Sequence, residues 1–329
     1  MVVPNTNPVV SDRSRVEFLK QRSANLPVNI HPIGSVTQNA DGKELAEMYD
    51  MHAGGAVAFS DGKKSIQQPG MLLKGLQYLS AKKAVLIQVP NEESISSGGL
   101  MNEGIMSTRL GLPGNPAIAE ELMIARDIAL LEYTDSALHI TGVSTKKGLD
   151  IIRAAKKQGL RISCSATPYH LYSSDEDLAG YDTNYKVNPP LRTPRDMEAI
   201  REGFRAGDID CVASHHSPQC WDDKTCEFEY AKNGMITLQN VYSMVNAIGS
   251  ETENIINILT INPRKIFSVE IPEIKEGAAA CLTLFEPETE FIFEEAMILS
   301  KSKNSPYIGK TMKGKVIGII NKNKKELFR

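Results

Sequence analysis

Short apolar runs alternate with longer amphipathic stretches over most of this chain. Runs at 28–36, 56–61, 84–89, 137–143, 161–167 and 208–213 are dense in Val, Ile, Ala and Leu and too short for helices, which predicts strands buried in a parallel sheet. Between them, 43–52, 71–81, 116–133, 144–158 and 194–206 have helical spacing, with Ser144 expected as a cap and Gly159 as a stop. An opening helix is expected from Ser11 as cap and Asp12 in the first turn, with Val16, Phe18 and Leu19 as its apolar positions. Strand and helix alternating at this spacing specify parallel βαβ units. The predicted architecture is a TIM-type α/β barrel, in which chemistry belongs at the C-terminal rim of the strands.

The two ends modify that picture. Residues 1–8 read as the end of a strand entering an Asn/Pro loop, so the barrel is expected to lack its first strand and most of its second. After a short helix near 261–267, apolar stretches at 274–285 and 309–320, separated by turn residues, read as β-strands of a small sandwich appendage. The expected division is 1–268 for the barrel and 269–329 for the appendage.

Composition excludes more than it assigns. The 329 residues carry a net charge of −3 and a pI near 6.1, which leaves no electrostatic footprint for nucleic acid or an anionic membrane. Five cysteines are scattered along the chain, and Cys164, Cys211 and Cys281 sit in apolar runs as buried free thiols do. A reducing cytoplasm is the expected compartment. No apolar run approaches the roughly 20 residues that span a bilayer, and no basic-then-apolar leader opens the sequence.

Candidate chemistry gathers in Asp208-Ile-Asp-Cys-Val-Ala-Ser-His-His-Ser-Pro-Gln219, which ends in adjacent histidines shortly before the single tryptophan, Trp221. Neighbouring strand residues face opposite ways, so His215 and His216 are not expected to aim at one centre unless the strand has already ended. One of the pair is therefore read as structural. His215, His216, Cys220 and Cys226 are acceptable zinc ligand types, yet their spacing matches no recognised pattern. His139 is read as a buried, hydrogen-bonded histidine and His31 and His52 as loop or helix residues; no Gly-x-Ser-x-Gly nucleophile motif is present.

Seven short segments carry a resemblance: Pro4-Asn-Thr-Asn-Pro8, Ala58-Phe-Ser-Asp61, Met101-Asn-Glu-Gly104, Val143-Ser-Thr145, Lys186-Val-Asn-Pro-Pro-Leu-Arg192, Cys211-Val-Ala-Ser-His-His-Ser-Pro218 and Ser300-Lys-Ser-Lys-Asn-Ser-Pro306. Together, in order and with family spacing, they resemble the signatures of dihydroorotases of the amidohydrolase superfamily. The resemblance implies a (β/α)₈ barrel with a β-sandwich built from both chain ends, and hydrolysis of the cyclic amide of dihydroorotate by a metal-bound hydroxide. Such chemistry near neutral pH uses one or two divalent metals to acidify water and polarise the carbonyl, so imidazoles and carboxylates must converge at the strand ends.

By the same resemblance, most of that set is missing. Val89 and Gly142 stand where ligand histidines are expected, His215 stands at the position of the family's catalytic aspartate, and the family's His-x-His pair belongs to the first strand. Asp61 is the one remnant of the metal set. Asn5 and Asn188 match substrate-binding asparagines, with Arg192 in the same motif as Asn188; Gln219, where a loop histidine is expected, is grouped with them, and His170 matches a family loop histidine. The resemblance thus implies a ligand-deficient homologue in pyrimidine biosynthesis, with no cofactor and no turnover, acting in assembly as a homo-oligomer or with aspartate transcarbamoylase. The alternatives are an active zinc-dependent dihydroorotase and a hydantoinase- or allantoinase-like cyclic amidohydrolase. Asp61, where hydantoinases carry a modified lysine, argues against the last.

Overall fold

In the computed structural model, which describes residues 1–328, six parallel strands form one curled, open sheet. They are β1 (Ile33–Gly34), β2 (Ala58–Phe59), β3 (Leu86–Gln88), β4 (Leu138–Thr141), β5 (Ile162–Ala166) and β6 (Cys211–Val212), each paired with the next. The opening helix α1 (Arg13–Ser23) precedes them, and the crossovers carry α2 (Met48–Gly54), α3 (Pro69–Ser80), α4 (Ile118–Thr134), α5 (Lys146–Lys157) and α6 (Pro194–Ala206). This is the expected parallel α/β barrel, present as a partial wall.

Local chemistry sets the element ends. Thr193 accepts from the Asp196 amide at 3.2 Å, Pro194 opens α6, and Gly207 closes it at φ 77°. Two expected caps move by one residue. Thr145, not Ser144, caps α5 by accepting from Gly148 N at 3.0 Å, because the Ser144 hydroxyl is committed elsewhere. Asp12, not Ser11, caps α1 by accepting from Arg15 N at 3.0 Å. Helix α2 begins at Met48 rather than near 43, and the run at 28–36 yields only a two-residue strand, with Pro32 removing a ladder donor just before it.

Successive strand residues divide between two faces. Phe59, Leu86, Leu138, Ile140, Cys164 and Ala166 pack outward against the helices in the main core. Ile33, Ala58, Val85 and Ile87 form a smaller inner cluster with Phe267. Beside it the inner face turns polar, with His139, Thr141, Ser163 and Ser165.

A separate antiparallel sheet follows, with β8 (Thr311–Asn321) between β7 (Cys281–Ile292) and β9 (Lys324–Leu327). The Ser243 hydroxyl donates to Gly314 O at 2.6 Å and Asn246 Nδ2 to Pro287 O at 2.9 Å, which moors this sheet to the barrel. All five cysteines are free: Cys164 and Cys211 are buried, Cys226 and Cys281 half-buried and Cys220 exposed.

Candidate functional site

The inner face of β4 and β5 carries a polar ladder. Register pairs His139 with Ser163 and Thr141 with Ser165. His139 Nδ1 lies 2.8 Å from Ser163 Oγ and its Nε2 3.0 Å from Ser165 Oγ; Ser165 Oγ donates to Thr141 Oγ1 at 3.0 Å, and Thr141 Oγ1 lies 2.9 Å from His215 Nε2. With Ser165 donating to Thr141, Ser163 donates to His139 Nδ1 and His139 Nε2–H to Ser165, while the Thr141–His215 bond is satisfied by either His215 tautomer. Burial, helped by the Lys156 charge, pushes His139 down to about 3, and burial with the nearby Lys63 ammonium pushes His215 down to about 4. Both imidazoles are neutral at pH 7.

His215 reaches this ladder because β6 has ended at Val212 and the backbone turns through φ 42° at His215 itself. Strand alternation therefore does not govern the histidine pair. The two rings nonetheless diverge: His216 Nδ1 accepts from the amides of Thr237 at 3.0 Å and Leu238 at 3.3 Å. The His215 ring occupies the space beside Gly142, where φ is 78° and a Cβ would lie 2.8 Å from His215 Cε1. Val89 is buried and offers only its carbonyl, which accepts from Ser65 Oγ at 2.6 Å.

Asp61 accepts three hydrogen bonds. Its Oδ1 accepts from the amides of Val36 at 3.0 Å and Thr37 at 2.9 Å, and its Oδ2 from Thr37 Oγ1 at 2.6 Å. Burial still raises its pKa, against the pull of those donors. Asn5 grips the same loop, donating to Asp61 O at 3.0 Å and accepting from Lys63 N at 2.9 Å. Gln219 Nε2 donates to Asn233 O at 2.7 Å. Asn188 is exposed, and its side chain makes no hydrogen bond among the described residues. The structure thus brings His215 to the barrel interior, spends Asn5 and Asp61 on the loop after β2, and leaves Asn188 alone facing solvent.

A divalent metal does not fit this donor set. One carboxylate already accepts three hydrogen bonds, one imidazole nitrogen is tied to Thr141, and two expected ligand positions carry no donor side chain. Among the described residues no group of three or more His, Cys, Asp or Glu side chains is arranged to hold a metal ion, the histidines and cysteines around Trp221 included.

A second buried network lies among the loops. Arg192, 3% exposed, donates from Nε to Ser144 Oγ at 3.1 Å and from Nη1 to Asn102 Oδ1 at 3.1 Å and Asn115 O at 2.9 Å. Its Nη2 lies 3.8 Å from Glu120 Oε2, and Glu120 Oε1 accepts from both amides of Ser144 and Thr145 at 2.9 Å. Asn102 Nδ2 donates to Asp175 Oδ2 at 2.8 Å, and His170 Nε2 donates to Pro190 O at 3.0 Å. Three of the recognised segments, those at 101–104, 143–145 and 186–192, meet here. Glu120 and Asp175 escape a sequence reading, since Glu120 looks like an ordinary acid in a first helical turn, where the helix dipole favours one.

Comparison with known proteins gives the lineage. A dihydro-orotase-like family model matches residues 1–148. The dihydroorotase of Syntrophus aciditrophicus (strain SB) is 37% identical over 320 residues, covering 96% of this chain and 75% of that protein. This chain belongs to the dihydroorotase family. The dihydroorotase of Pelotomaculum thermopropionicum is 39% identical over 317 residues, 95% of this chain and 74% of its own length. This family member therefore spans about three-quarters of those relatives. Among solved structures, L-hydantoinase from Arthrobacter aurescens superposes with a TM-score of 0.86 at 21% identity, over 99% of this chain and 77% of that one. Dihydroorotase from Saccharomyces cerevisiae, in complex with 5-fluoroorotic acid, gives 0.72 at 13% identity, over 99% and 89%. Both show the barrel fold. No helix of the described residues is long and apolar enough to cross a membrane.

Proposed function

We propose that this dihydroorotase-family chain is a non-catalytic homologue that serves pyrimidine biosynthesis by assembly, as a homo-oligomer or with aspartate transcarbamoylase. The observation that carries the reading is His215: at the position of the family's catalytic aspartate stands a neutral imidazole whose Nε2 is closed onto Thr141. That nitrogen is engaged by a hydroxyl rather than open to a reacting group, and Asp61 already accepts three hydrogen bonds that a metal would have to disturb. The loop network around Arg192 meanwhile keeps the barrel's shape, so surface is the property that still has a use.

Elemental analysis after gentle purification should find no stoichiometric zinc, and dihydroorotate turnover should stay at background. Light scattering should show an oligomer, or aspartate transcarbamoylase from the same organism should co-purify. Zinc at one or more per chain, with turnover lost in His215→Ala, defeats the reading in favour of an active zinc-dependent dihydroorotase. A monomer that ignores aspartate transcarbamoylase removes the assembly role.

A further inference from the structure

We infer that the loop 219–233 is a docking surface for another protein, through a segment of that protein bearing arginine or lysine side chains. The inference rests on the assembly reading above and gives the partner its chemistry. The loop leaves the barrel after β6 and returns, and Gln219 Nε2, donating to Asn233 O at 2.7 Å, closes its base. Inside it are two turns. In the first, the Trp221 carbonyl accepts from the amides of Lys224 and Thr225, both at 2.9 Å; in the second, the Glu227 carbonyl accepts from the amides of Tyr230 at 3.0 Å and Ala231 at 3.1 Å. Lys232 joins them, its amide donating to Asp223 O at 3.0 Å and its ammonium lying 2.9 Å from Asp223 Oδ1.

Two buried lysines pin these turns in place. Lys224 Nζ donates to Thr183 O and to Lys232 O, each at 2.7 Å, and Lys186 Nζ donates to Phe228 O at 2.7 Å and Glu229 O at 3.0 Å. Both ammonium groups are thus spent inside the loop on backbone carbonyls. A surface held this way meets a partner already ordered, so little conformational entropy is lost on binding.

What the pinned loop turns to solvent is aromatic and acidic. Trp221 is 76% exposed and Tyr230 74%, and these are side-chain types that dominate binding energy at protein interfaces. Asp222, Glu227 and Glu229 are exposed in the same two turns and have no ion-pair partner among the described residues, while the loop's exposed cation, Lys232, is taken by Asp223. Free carboxylates beside aromatic rings match guanidinium and ammonium groups, which pair with the first and stack on the second. An acidic or phosphate-rich surface is repelled by the same charges.

Trp221, the single tryptophan, makes the loop its own reporter. Its emission is followed in the whole chain at low salt as an amidated octapeptide of alternating glycine and arginine is added, with the glycine–glutamate octapeptide as control. A saturable shift is expected with the arginine peptide alone. Its affinity should fall about tenfold when Asp222→Asn, Glu227→Gln and Glu229→Gln are combined, about threefold in Tyr230→Ala, and not at all in Glu132→Gln, an exposed acid on α4. No saturable shift, equal shifts with both peptides, or equal affinity in wild type and the triple variant overturns the docking loop. The two readings fail separately. An oligomer or an aspartate transcarbamoylase complex that survives the triple variant unchanged refutes the loop and leaves assembly standing, whereas a monomer that ignores that enzyme but takes the arginine peptide refutes the assembly role and leaves the loop in place.

Discussion

Two of the buried groups of polar side chains in this protein are held by opposite means. Around Arg192 and Glu120 an ion pair is sunk among three loops, with Arg192 reaching Asn102, Asn115 and Ser144 and Glu120 holding Ser144 and Thr145. On the inner face of β4 and β5 the atoms are neutral hydroxyls and imidazoles closed on one another in a line. Three of the seven recognisable segments meet at the first, and Gly142 and His215, two of the positions the resemblance singles out, lie at the second. A charged hub that ties distant loops has few substitutes, since losing one member strands a buried charge. A line of hydroxyls and imidazoles can lose a metal and still satisfy itself.

The sharpest way to break this contrast is Glu120→Ala. It leaves Arg192 buried beside no carboxylate and should cost about 3–5 kcal/mol in urea unfolding. Thr141→Val in the ladder should cost much less. Equal losses would erase the distinction.

Acid titration comes next. Burial holds His139 and His170 at about 3 in the folded chain, against about 6.5 when unfolded. Below about pH 6.5 the unfolded chain takes up protons that the folded chain refuses, so stability present at neutral pH drains away toward pH 3, by up to about 1.4 kcal/mol per pH unit for each histidine. Unfolding midpoints at pH 7 and pH 5 should show this slope, and His139→Gln should flatten its share.

Gly142→Ala tests whether the replaced ligand position has become structural. The left-handed backbone and the contact with His215 together should cost about 1–3 kcal/mol. Adding His215→Ala should return the contact share and leave the backbone share, a coupling that a double-mutant cycle reads. The smallest effect is expected from Asn188→Ala, within about 0.5 kcal/mol of wild type, because that side chain is exposed and unbonded; Asn5→Ala, which frees the loop at Asp61 and Lys63, should cost more.

Legibility followed distance along the chain. Helix α6 announces itself through Thr193, Pro194 and Gly207, and the alternation of runs was enough for the barrel. Strand lengths were not legible: the run ending at His215 looks continuous, but a positive φ that no residue type demanded ends it after Val212. At the site, the residue types at Val89, Gly142 and His215 are visible in the sequence, whereas the hydrogen-bonded ladder that His215 joins is not. His139 meets Ser163 and Thr141 meets Ser165 across a register of 24 residues, and Glu120 meets Ser144 at the same separation. Such pairings are fixed by how strands align, and no local pattern encodes that. Lys63 Nζ and Ser217 Oγ, which meet at 2.8 Å although 154 residues apart, are further still from any local signal.

The cysteines give the molecule a built-in reporter of its own opening. Cys164 and Cys211 sit on β5 and β6, and burial pushes the Cys164 thiol up to about 12 and the Cys211 thiol higher still, whereas Cys220 is exposed near the mouth. A thiol reagent should therefore label Cys220 at once and reach the other two only when the strands part. The lag between the two phases would time sheet opening in the unmodified chain, and lengthening of that lag would register any partner that holds the sheet shut.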